Sequence, residues 1–137
     1  MVVTDYEQTI QTLLATLKAN CVTIGVSEES ITESNEQLDF NVPAPYIYFH
    51  TDFGKTRVQG NYIVELLIDY FIVTESSSVQ AAKVEGMEII NELMPVLRET
   101  QFVKFPPDCI ELFLEYSSKC VLRLKTIQEI TLVSTGT

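Results

Sequence analysis

The residue types able to do chemistry are few and scattered along the chain. His50 is the only histidine. A catalytic imidazole needs a neighbouring group to orient its ring, and no local motif supplies one, so an ordinary strand-end position is expected. Cys21, Cys109 and Cys120 form no CxxC pair. Their odd number, with no leader-like opening stretch, predicts reduced thiols in a cytosolic setting, buried as small hydrophobes. Glu65 and Asp69 are four apart on a predicted strand. They share a face about 13 Å apart, beyond the ~5–9.5 Å of glycosidase carboxyl pairs, and read as partners for cationic groups on a neighbouring surface. Gly54-Lys55-Thr56 matches the end of a phosphate-binding loop, but Phe49 stands at the first glycine position and a strand, not a helix, is expected to follow. Asp52-Phe53-Gly54 matches a kinase tripeptide in a chain of 137 residues, too short for a kinase and without its glycine-rich loop. The acidic stretch "SEESITESNEQLDFNVPAP" lacks the calcium-loop spacing with its central glycine, so a solvated loop is expected. No enzymatic activity, metal or cofactor is expected.

The totals point the same way. A length of 137 residues predicts a single domain spanning 1–137, with a modest core. Hydrophobic residues make up 46% and charged residues 20%, a balance that folds. A formal net charge of −10 repels phosphate backbones, which argues against a general or sequence-specific nucleic-acid binder. A partner with a basic patch, or a site that needs a repulsive wall, fits better. No apolar stretch nears the ~18 residues of a membrane span, so no membrane association is expected.

Near the start of the chain Thr4 and Glu7 have capping-box spacing, and Tyr6, Ile10, Leu13, Leu14 and Leu17 recur with helical period. "CVTIGV", 21–26, reads as a short strand. An acidic loop at 27–45 follows, with a short extended piece near Leu38 and Phe40, and closes at Pro43 and Pro45. "YIYFH" is a second strand, and 52–61 is expected to protrude as a loop. Tyr62 to Val73 reads as a strand of about 40 Å, roughly twice the usual length. Ser77 and Gln80 again have capping-box spacing, opening a helix that runs to about Leu97, with Pro95 near its end. Gly86 inside this helix costs about 1 kcal/mol against alanine, which close approach to the sheet would offset. "CIELFLEY" and "CVLRLKTIQEITLV" form a closing hairpin around a three-residue turn, which sets Glu111 opposite Lys125 and Phe113 opposite Arg123. The resulting fold is α+β: a mostly antiparallel sheet of about five strands with two helices packed on one face, in the order α-β-β-β-α-β-β.

The long strand has two unequal sides. Tyr62, Val64, Leu66, Ile68, Tyr70 and Ile72 are purely apolar or aromatic and should meet the helices. Ile63, Glu65, Leu67, Asp69, Phe71 and Val73 mix large apolar groups with two acids. Left in water, that side would form an apolar patch uncommon in monomers, and partner subunits are the simplest cover, a mixed face suiting register and specificity. The alternative cover is the acidic loop 27–45 folded back. Lys55 and Arg57, presented in the loop before the strand, could reach acidic groups on an adjacent copy or form a solvated hairpin tip. A head-to-tail contact of this kind closes into a ring when the rotation permits. The expected interface is therefore Lys55, Arg57, Ile63, Glu65, Leu67, Asp69 and Phe71.

The sequence of an amphipathic helix, "VPAPYIYFH", a basic loop, the strand "YIVELLIDYFIV", the helix "VQAAKVEGMEIINEL" and a closing hairpin resembles the tail terminator (tail-completion) and neck proteins of long-tailed bacteriophages. The resemblance covers roughly residues 4–133 and is one of pattern and size. It implies a virion structural subunit, assembled in the host cytoplasm, that forms a hexameric ring. Such a ring terminates the tail tube and joins it to the head-side connector. Negative charge around a lumen would discourage DNA from sticking during passage. A soluble α+β module that binds a ligand or a protein is the alternative, marked by a concave pocket with a few convergent polar groups.

Overall fold

The computed structural model describes residues 2–33, 44–59, 61–99 and 103–132, and within them the side chains except those of 2–5, 55–59, 61–63 and 131–132. The elements are helix α1 (Val2–Ala19), helix α2 (Cys21–Ile24), a 3-10 turn (Glu28–Ser30), strands β1 (Ile31–Glu33), β2 (Tyr46–Gln59) and β3 (Asn61–Glu75), helix α3 (Val79–Glu99), and strands β4 (Val103–Lys104), β5 (Ile110–Tyr116) and β6 (Lys119–Leu132). The class is α+β, as expected. The sheet has six strands and is mixed, ordered β1-β2-β3-β6-β4, with β5 also on β6. All pairings are antiparallel except β1 with β2.

Several elements differ from the sequence reading, each for a local reason. Residues 21–24 are helical, not extended. Gly25 takes φ 90°, and the amides of Gly25 and Val26 both donate to the Cys21 carbonyl, the left-handed cap that ends a helix rather than a strand. Helix α1 starts at Val2, so Thr4 is internal rather than its cap. At α3 the cap is Ser78, one residue later than expected: its hydroxyl accepts from the Ala81 amide at 3.1 Å. The acidic segment contributes the 3-10 turn and β1 to the sheet, while the extended piece placed near Leu38 and Phe40 lies outside the described residues. Residues 52–59 are extended in strand β2 rather than part of a protruding loop. Strand β2 continues to Gln59 and pairs with β3 from Asn61, with a register shift between Phe53 and Thr56, so Gly54 sits in a bulge.

Helices α1 and α3 pack on one face of the sheet. Ile10, Leu13 and Leu17 of α1, Ala82, Ile89, Ile90, Leu93 and Leu97 of α3, and Val64, Leu66, Ile68, Tyr70 and Ile72 of β3 form one buried cluster. Gly86 explains how closely α3 approaches: a Cβ there would lie 2.8 Å from Leu122 Cδ1. The Thr74 hydroxyl donates to the Ala82 carbonyl at 2.6 Å, tying the end of β3 to the first turns of α3. The long strand is longer than expected. Its fifteen residues span about 50 Å, with β2 and β6 of fourteen residues each on either side.

Candidate interaction surface

The far face of the sheet, away from the helices, takes the other half of each strand's period. Register across β2, β3, β6 and β5 sets Tyr48, Phe71, Arg123 and Glu111 in one row. The neighbouring row holds His50, Asp69 and Lys125, and the next Asp52, Leu67 and Ile127. Arg123 is the hub. One guanidinium nitrogen donates to Asp69 Oδ2 at 2.6 Å and the other to Glu111 Oε1 at 3.0 Å. The Arg123 guanidinium carbon lies 5.9 Å from the Phe71 ring centroid, within cation–π range. Lys125 adds a second cation 3.5 Å from Glu111. Around this hub runs a chain of aromatic rings. Tyr46 stacks on Tyr48, Tyr48 stacks on Phe71 at 4.8 Å, and Phe113 meets Phe71 edge-on at 4.9 Å.

Lys55 and Arg57 are in strand β2 and Ile63 is in β3, with Arg57 directly across from Ile63; the side chains of all three lie outside the described residues. Glu65 is half-buried and stands opposite Glu129. Leu67 is 37% exposed and Phe71 only 8%. The chain's own Tyr48, Phe113 and Arg123 shield Phe71. Asp69 is mostly buried and answered from within the chain by Arg123 rather than by a neighbour. The exposed apolar surface has moved to β5, where Leu112, Phe113, Leu114 and Tyr116 are 38–65% exposed.

That shift follows from the hairpin. The turn has two residues, Ser117 and Ser118, with Ser117 at φ 56°, as primed hairpin turns require. This turn sets Leu114 opposite Val121, and a bulge between Leu112 and Leu114 then brings Glu111 opposite Arg123 and not Lys125. Phe113 and Leu114 share one partner position, so β5 presents apolar groups on both sides of its ribbon. The sequence signal was present in "IELFLEY": an apolar run that does not alternate strictly has no single buried side.

His50 lies across from Asp69 on the far face, whereas Cys120 belongs to the helix-side core, so the two are on opposite sides of the sheet. All three cysteines are free thiols. Burial raises the Cys120 thiol above its usual range, against the lowering effect of Lys83. Burial also pushes Tyr48 up to about 12, with Tyr46 adding to the shift. Among the described residues no group of three or more acidic, histidine or cysteine side chains converges as metal ligands do, and no helix is long and apolar enough to cross a membrane. An open cavity of about 440 Å³ lies between α2 and α3, lined by Thr23, Ile24, Gly25, Ile89 and three glutamates, Glu85, Glu88 and Glu92.

No protein-family model matches the chain, and no curated protein is similar to it in sequence.

Proposed function

We propose that the chain is a structural subunit of a phage or prophage-derived tail, acting by assembly into a ring that ends the tail tube and meets the head-side connector. What supports the reading is the long β2-β3-β6 platform bordered by exposed apolar groups. A face built mainly of in-chain aromatic stacking and ion pairs is a rigid surface, and Leu67 with the β5 side chains offers the apolar contact that assemblies bury. The excess of carboxylates suits a lumen that DNA crosses without adhering. Hexameric copy number and the tail-tube and connector partners come from the resemblance in element order. The test is negative-stain electron microscopy of the purified chain. Closed rings with a central opening are the expected result; single particles of monomer size, or open filaments, would overturn the reading.

The second reading is an α+β binding module. The cavity between α2 and α3 favours it, since three glutamates along one side of α3 would select a cationic ligand. A monomer that binds a polyamine or a basic peptide with loss on Glu88→Gln would favour this module over the ring.

A further inference from the structure

We draw no further inference here: the strongest candidate, the exposed apolar surface patch on edge strand β5 beside the first turns of α3, carries none because nothing in the structure shows what covers it.

Discussion

Arg123 does for the far face what a buried hydrophobe does for the helix side: it holds neighbours in one arrangement. Its two hydrogen bonds to carboxylates, 2.6 and 3.0 Å, are charge-assisted, and its side chain is about a third exposed, so the net worth is reduced by solvent screening. Arg123→Leu would leave Asp69 mostly buried with its main cation gone. A loss of about 1–3 kcal/mol is expected, read as a lower urea midpoint at unchanged slope; an unchanged midpoint would show that the hub is ornamental. Tyr48 makes a second prediction at this scale. Its folded pKa is raised from 10.0 to about 12, so the neutral phenol is the form that folding favours. The associated stability is fully present below about pH 10 and is lost as pH rises toward 12. Burial raises Tyr70 in the same direction. Denaturant midpoints should therefore fall across that window, and fall less in Tyr48→Phe, which keeps the ring stack and removes the proton.

Individual elements show where sequence patterns carry and where they fail. The two faces of β3 are legible because a strand's period is two and its even positions are apolar without exception from Tyr62 to Ile72. Every described one of them lies in the helix-side core. Helix α3 is legible for the same reason at period 3.6. By contrast α2 runs against its local pattern, because "CVTIGV" is rich in β-branched residues and reads as a strand. The competing signal is that Cys21 and Ile24 continue the α1 stripe from Leu13 and Leu17 at helical steps, with Gly25 as the stop. The hairpin register departs from the pattern because strict alternation favours a three-residue turn that keeps apolar and charged sides apart, whereas the observed turn has two residues and holds a serine, Ser117, at a positive φ that is uncommon for that residue. That serine also marks strain. Ser117→Gly should raise stability by about 1 kcal/mol, visible as a higher melting temperature; a decrease would mean the serine side chain secures the turn. Gly86 tests packing in the opposite sense. Gly86→Val adds bulk where even a Cβ meets Leu122 at 2.8 Å. A cost of about 1–3 kcal/mol from overpacking is expected, whereas Gly86→Ala gains about 1 kcal/mol of helix propensity against its smaller clash. Equal melting temperatures for wild type and the valine variant would mean the helix stands further from the sheet.

At the scale of the whole molecule, a net charge of −10 meets a long sheet with one well-filled face. The sequence made the surplus of apolar side chains on β3 visible, and with it the case for assembly. It could not show that Phe71 and Asp69 would be satisfied within the chain, because that depends on Tyr48, Phe113 and Arg123 arriving from three other strands in a register set by bulges. Exposed apolar surface is therefore concentrated at Leu67 and β5 instead of along the whole far side of β3. The charge excess should make assembly depend on salt. Screening relieves repulsion between like-charged copies, so raising ionic strength from low to physiological should promote association; weakening with salt would mean attraction between opposite charges dominates. Sedimentation equilibrium of the wild-type chain over a broad concentration range tests the central claim most directly. A single closed species at an integer multiple of 15.5 kDa, six by the resemblance, is the expected result. A species that remains at 15.5 kDa to the highest concentration reached would contradict it.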